Sequence, residues 1–196
     1  IIGLETYVVD DRTGQSTDNH HLVLLAATQE GYKNLCYIAS DSGTIGRYDG
    51  KNRTDNELLR QYGKGIIASS ACLGGEIPRA LADNDWDKAV SLVNTYKEIF
   101  DDFYLELQSN NLEEQAYLNT NLIHLARMTN TELIITNDVH YTEKDDFETH
   151  DLLLGIQTKR KIDDPKKMRM PGGNNYWFKT EQEVRDTAFY FNPETQ

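Results

Sequence analysis

Asp138 and His140 stand two residues apart just after the apolar run Glu132–Thr136, in the segment Asn137-Asp138-Val139-His140-Tyr141. Side chains two apart in an extended chain point the same way. A carboxylate and an imidazole are therefore expected to share one space. Polar residues beside other apolar runs extend the set. Glu5 lies within Ile2–Val9, His20 and His21 open the run that ends at Ala27, and Cys72 follows Gly65–Ser69. In α/β folds, sites are assembled at strand ends, where loops converge. Carboxylate, imidazole and thiolate make a mixed oxygen, nitrogen and sulfur donor set suited to zinc, manganese or iron. Such an ion lowers the pKa of a bound water and clamps a phosphate oxygen.

Each of these residues also has a plainer reading. An Asp-x-His pair is often a capping Asp beside a structural His, and a single buried Cys is often just a small hydrophobe. Cys36, on a helix face, is expected to be such a hydrophobe. His124 is expected in packing or at the surface, and His150 in a structural hydrogen bond. Cys72 with His140 imitates a cysteine hydrolase pair. No Gly-x-Ser-x-Gly elbow or Walker loop accompanies it. Gly74-Gly75 before Glu76 is too short to cradle a phosphate alone, yet it lets backbone approach a ligand at a helix start.

Elements must hold these residues in place. Period and β-branched content predict strands at Ile2–Val9, His21–Ala27, Gly65–Ser69, Phe103–Gln108 and Glu132–Thr136. Helices are predicted at Gln29–Ser40, Asp55–Tyr62, Glu76–Ala82, Asp85–Phe100 and Leu112–Met128, with two more near Lys144–Gln157 and Glu181–Phe189. Leu118, Leu122 and Leu125 give one of these helices an apolar face. Asn84 is expected to cap the helix starting at Asp85. Alternating strands and helices imply an α/β fold with a mainly parallel sheet, either doubly wound or part of a barrel. The polar stretch Ser40–Asn56 is expected to leave the core, and 159–176 to be an irregular basic loop.

Composition narrows the function classes. The chain has 196 residues, a net charge of −12 and a hydrophobic fraction of 38%, enough for a core and against global disorder. A body this acidic is a poor nucleic-acid binder by itself. Lys159, Arg160, Lys161, Lys166, Lys167 and Arg169 make one net-positive segment. It reads either as a solvated loop or as a phosphate or partner contact. Two cysteines are no disulfide framework and suit a reducing compartment. Apolar runs such as Leu22–Ala27 are too short to cross a membrane, and the start has no signal-peptide pattern. The chain opens Ile1-Ile2-Gly3-Leu4-Glu5 as if a strand were already in progress, so a fragment, an internal segment or a chain shown without its first residues is expected.

Four blocks then carry a resemblance. They are His21-Leu22-Val23-Leu24-Leu25-Ala26 running into Glu30-Gly31-Tyr32-Lys33-Asn34-Leu35, and Ile66 through Pro78 with Cys72-Leu73-Gly74-Gly75-Glu76 at its centre. Phe103-Tyr104-Leu105-Glu106-Leu107-Gln108 is the third, and Thr136-Asn137-Asp138-Val139-His140-Tyr141, continuing through His150 to Thr158, is the fourth. In this order they resemble the PHP (polymerase and histidinol phosphatase) domain family, in the form found at the head of bacterial DNA polymerase III alpha subunits. The resemblance covers nearly the whole chain, and implies that residues 1–196 are one partial PHP domain. The implied fold is a distorted (β/α)7 TIM-like barrel, N-terminally truncated here. The family's opening His-x-His motif and later Thr-Asp-His segment belong before Ile1.

The resemblance implies metal ligands at Glu5, His21 (with His20 as the off-by-one alternative), Cys72, Asp138 and His140. Asp138 and His140 also take the catalytic role. Where many members have a further His, this chain has Ser109-Asn110-Asn111. The implied cofactors are divalent ions (zinc, manganese or iron), held by the intact domain and weakly or not at all by the fragment. The implied partners are the rest of the polymerase chain, DNA through that parent enzyme, and other replicase subunits, in the bacterial cytoplasm and away from membranes. The implied role is metal-dependent 3′–5′ exonuclease or structural dock for a proofreading subunit. The alternatives are a stand-alone phosphoesterase of the same superfamily and a non-catalytic interaction module.

Overall fold

A computed structural model describes residues 1–110 and 112–188. Asn111 and Phe189, which figured in the expectations above, lie outside the described residues. The chain forms two compact units. One holds Ile1–Glu106 and Asn121–Ile134, the other Leu107–Thr120 and the residues from Ile135 onward.

Among the described residues, seven strands form one open sheet: β1 (Gly3–Val8), β2 (His20–Ala26), β3 (Arg47–Tyr48), β4 (Lys51–Thr54), β5 (Ile66–Ser69), β6 (Asp102–Gln108) and β7 (Glu132–Thr136). Their order is β3-β4-β1-β2-β5-β6-β7, with β3 and β7 at opposite ends and no closure among the described residues. The helices are α1 (Gln29–Thr44), α2 (Asn56–Tyr62), α3 (Glu76–Ala82), α4 (Trp86–Ile99), α5 (Glu113–Thr129), α6 (Phe147–Gln157) and α7 (Glu181–Ala188). A short 3-10 turn, Lys144–Asp146, precedes α6.

The expected mainly parallel sheet is corrected to a mixed one. β1 and β4 are parallel, as are β5 and β6, but β1–β2, β2–β5 and β3–β4 are antiparallel. Parallel neighbours need a long crossover, usually a helix. The connection from β1 to β2 has no helix, so the chain simply turns back. A buried arginine holds that connection. Arg53 is 1% exposed and donates to the carbonyls of Arg12, Gly14, Ser16 and Gly46. Arg12 in turn pairs with Asp41 at 2.7 Å and Asp55 at 3.0 Å.

This also corrects the reading of Ser40–Asn56 as an excursion from the core. The stretch completes α1, forms the β3–β4 hairpin and buries Ser42, Arg53, Thr54 and Asp55. Helix starts follow side-chain chemistry. Thr28 accepts from the Gly31 amide, Asp55 from Leu58 and Asp85 from Lys88. The cap of α4 is therefore Asp85, whereas Asn84 adopts the left-handed backbone (φ 59°).

β2 shows why one strand faces two environments. His20, Leu22 and Leu24 are buried, while His21, Val23 and Leu25 alternate with them on the other, half-buried face. In the first unit, Ile66, Ala68, Phe103, Leu105, Ile77, Leu81 and Val93 are buried as well. Between α6 and α7 the second unit has turns and one isolated bridge, Tyr141 to Trp177, with no helix or strand among the described residues.

Candidate metal centre

The pairing of β1 with β2 sets Tyr7 opposite His21 and Glu5 opposite Val23. Opposed residues share a face, and diagonal neighbours lie within reach of long side chains. Glu5 thus meets His21 across the strand pair, with Oε1 2.8 Å from Nδ1. Cys72 arrives by a turn. The His21 amide donates to the Gly74 carbonyl at 3.0 Å, adding one rung beyond β5. The Gly75 amide donates to the Cys72 carbonyl, and Ala71 takes a left-handed backbone (φ 58°). This folds Cys72 back until Sγ lies 3.3 Å from His21 Nδ1. Gly75 is needed for the closeness of the turn, because a Cβ there would sit 2.1 Å from the Ser70 carbonyl oxygen.

Glu5, His21 and Cys72 offer one oxygen, one nitrogen and one sulfur, all within 4.8 Å of one another. A tetrahedral ion with bonds of about 2.0–2.3 Å separates its donors by roughly 3.3–3.8 Å. The Cys72–His21 distance already meets that span, and the Glu5–His21 distance meets it after a shift of about half an ångström. The electrostatics point the same way. Carboxylate and sulfur both approach the same ring nitrogen, which carries one proton at most. The contact with Cys72, then that with Glu5, pushes the His21 pKa up to about 10 against the opposing effect of burial. A divalent ion bound to these donors would have to displace that proton. His20 takes no part: it lies on the buried face of β2, with Nε2 3.5 Å from Asp18.

Asp138 and His140 follow β7 in the second unit. They are brought together, Oδ1 to Nε2 3.4 Å, though not as an extended pair. Asp138 adopts the left-handed backbone (φ 46°), a turn that the period-2 argument does not include. The His140 ring meets Tyr176 edge-on at 5.4 Å and His150 at 5.7 Å. His150 corrects an expectation, because its Nδ1 is buried with no hydrogen-bond partner. Burial, then the neighbouring His140, lowers its pKa. It serves as a packed ring against His140 and Tyr141.

The remaining sequence candidates are placed as follows. Cys36 is exposed on α1, not buried, because its position lies off the face formed by Leu35 and Ile38. His124 is at the surface with Trp86 edge-on against it. The imidazole beside Cys72 is His21, not the hydrolase-like partner considered from sequence. Asn110, in the segment where a further His was sought, is buried. Part of the basic run is used internally: Lys167 is buried against Asp151, and Arg160 pairs with Asp164 at 3.3 Å. Lys159, Lys161, Lys166 and Arg169 remain exposed. Sequence reasoning missed the side chains that brace the Asp138 loop, among them Asn137, Lys179 and Tyr176. These partners lie some forty positions apart, with no periodic signal joining them. Among the described residues, no helix is long and apolar enough to cross a membrane.

Residues 1–110 match the model of the family described as "PHP domain". That match includes Glu5, His21 and Cys72 and stops short of Asp138 and His140. The chain is 39% identical over 193 residues to the DNA polymerase III subunit alpha of Thermus aquaticus, covering 94% of this chain and 16% of that protein. It is 41% identical over 174 residues to the Aquifex aeolicus DNA polymerase III subunit alpha, covering 83% of this chain and 15% of the relative. The Deinococcus radiodurans protein of the same name is 39% identical over 181 residues, covering 87% and 14%. The chain thus spans about a sixth of the length of these curated relatives.

Proposed function

Because the chain belongs to the PHP domain family, we propose that it serves as the PHP region of a bacterial replicative DNA polymerase alpha subunit and holds divalent metal. The observation that carries this reading is the convergence of Glu5, His21 and Cys72 within the matched segment. Family membership supports reading the open sheet as the wall of the PHP-type barrel, with 1–196 as one partial domain of that kind. The similarity to alpha subunits supports a role in DNA replication in the bacterial cytoplasm, with the rest of the polymerase chain, DNA and other replicase subunits as partners.

Held by Glu5, His21 and Cys72, zinc, manganese or iron would supply a polarised water and a clamp for a phosphate oxygen. Glu5 and Cys72 bring the anionic donors and His21 the neutral nitrogen once its proton has left. Asp138 faces Nε2 of His140 and so orients the ring. In the catalytic form of the proposal, Asp138 and His140 are themselves metal ligands and carry the catalytic role, giving a 3′–5′ exonuclease. A second reading, a structural dock for a separate proofreading subunit, draws on the net charge of −12, which opposes DNA binding by this region itself. The similarity to alpha subunits over most of the chain weighs against a stand-alone phosphoesterase.

Elemental mass spectrometry of the purified full-length protein tests the metal reading. Wild type is expected to carry a divalent metal that His21→Ala/Cys72→Ser loses. A wild type that stays metal-free after supplementation sinks the metal reading and leaves the dock. Release of nucleotides from a 3′-mismatched primer, lost on Asp138→Ala or His140→Ala, separates the exonuclease from a metal-holding dock.

A further inference from the structure

Lys179 is a lysine in an unexpected place. It is 7% exposed, and although Glu183 attracts it, Lys179 forms none of the ion pairs found among the described residues. Its ammonium donates to the Asn137 side-chain carbonyl at 2.7 Å and to the Asn175 backbone carbonyl at 2.7 Å. It also lies over the Trp177 ring, 4.5 Å from the centroid. Burying a charge is costly unless its donors are satisfied, and an apolar side chain fills the same space at lower cost. Burial lowers the Lys179 pKa, as that cost requires. A function that needs the ammonium accounts for it better than packing does.

The groups it touches identify that function. Asn137 precedes Asp138 directly. Its carbonyl oxygen accepts from Lys179, which turns its amide nitrogen toward the Trp177 backbone oxygen, where it donates. Both ends of this one side chain are thereby fixed. On the far side of Asp138, the His140 amide donates to the Tyr176 carbonyl at 2.9 Å, and the Phe178 amide donates to the Tyr141 carbonyl at 3.1 Å. The segment 175–179 therefore straps the 137–141 loop at both ends, with backbone bonds at one and the Lys179–Asn137 pair at the other. Between the anchors, Asp138 holds its left-handed backbone.

We infer that Lys179 and Asn137 are positioning residues that hold Asp138 and His140 in the geometry that receives a metal ion. This rests on the metal reading above. It assigns segment 175–179 to the support of the site, although this segment lies far outside the residues matched to the family. Outer-shell partners of metal ligands typically change affinity by about 10–100-fold.

The test is cobalt(II) titration of the full-length protein, followed by its visible ligand-field absorption. Lys179→Met and Asn137→Ala are each expected to weaken binding by about 10–100-fold and to shift the band. Lys179→Arg, which keeps a charged donor, falls between Lys179→Met and wild type. Lys144→Ala, which removes the other cation over Trp177 (4.9 Å) without touching Asn137, binds as wild type does. A double-mutant cycle separates positioning from general loosening. In an Asp138→Ala/His140→Ala background, Lys179→Met has no further effect on cobalt affinity if it acts through that pair.

A Lys179→Met protein that matches wild type in affinity and band overturns the inference, as does an undiminished effect in the background lacking the pair. If Lys179→Met does not fold by circular dichroism, Asn137→Ala decides on the same criteria. Failure of wild type to bind cobalt, or indifference of binding to Asp138→Ala/His140→Ala, removes the metal reading of the pair and this inference with it. That outcome differs visibly from a bound wild type with an indifferent Lys179→Met.

Discussion

The Glu5–His21–Cys72 cluster and the Asp138–His140 pair present similar donors but are built by different means. The first is set by strand register: β1 and β2 put Glu5 and His21 on one face, and a tight turn returns Cys72 to them. The second sits past the end of β7 in a loop with no ladder of its own, and is held by a strap and by ring packing from Tyr176. Register-built donors are hard to displace without breaking the sheet. Loop-built donors are adjustable and depend on each brace. The two regions should therefore fail in different ways.

The largest expected effect falls on the loop. Tyr176 is 1% exposed and packs against His140, so Tyr176→Ala leaves a cavity and costs about 3–5 kcal/mol. Chemical denaturation measures this, and the His21 ring resonances of whatever stays folded should keep their shifts. The converse variant is Gly75→Ala, which forces a Cβ toward the Ser70 carbonyl. It should cost about 2–4 kcal/mol and abolish the Cys72–His21 contact, leaving the Asp138–His140 resonances in place. If both variants disturb both sets of resonances equally, the distinction drawn here is wrong.

A smaller effect concerns protons. The raised pKa of His21 means that its protonation stabilises the metal-free fold fully below pH 6.5, and that this contribution is lost as pH rises through about 10. Melting curves of metal-free protein should fall across that window, and His21→Ala should flatten the fall. Metal uptake must expel the same proton, so affinity should rise by about tenfold per pH unit for each proton released. A pH-independent affinity between 6 and 9 contradicts the shared-proton picture. Smaller still, Tyr176→Phe loses the bond from its hydroxyl to the Pro171 carbonyl, costing about 1 kcal/mol. Cys36→Ser, at an exposed position, should stay within about 0.5 kcal/mol of wild type.

The same contrast governs how much was legible in the sequence. The five apolar strands were readable because their patterns are local, and Glu132–Thr136 matches β7 to the residue. Two strands were not. Lys51-Asn52-Arg53-Thr54 is a polar run that buries an arginine and a threonine, and backbone carbonyls satisfy the buried guanidinium. Strand direction was also hidden, since it depends on whether a connection turns back or crosses over. For the candidate site, residue types pointed to the donors, and register then separates His21 from His20. The αL turn at Asp138 and the reach of Lys179 across 42 positions arise from tertiary packing, which no window of sequence contains.

The single backbone rung from the His21 amide to the Gly74 carbonyl has a kinetic consequence. It is the terminal rung on its side of β2, and terminal rungs fray far more often than a domain unfolds. Each fraying event carries the sulfur of Cys72 away from the imidazole and reopens the gap. Hydrogen–deuterium exchange at the His21 amide therefore reads out how often the turn opens. An ion that closes the gap should slow that exchange while leaving the amides at the centre of β2 unchanged.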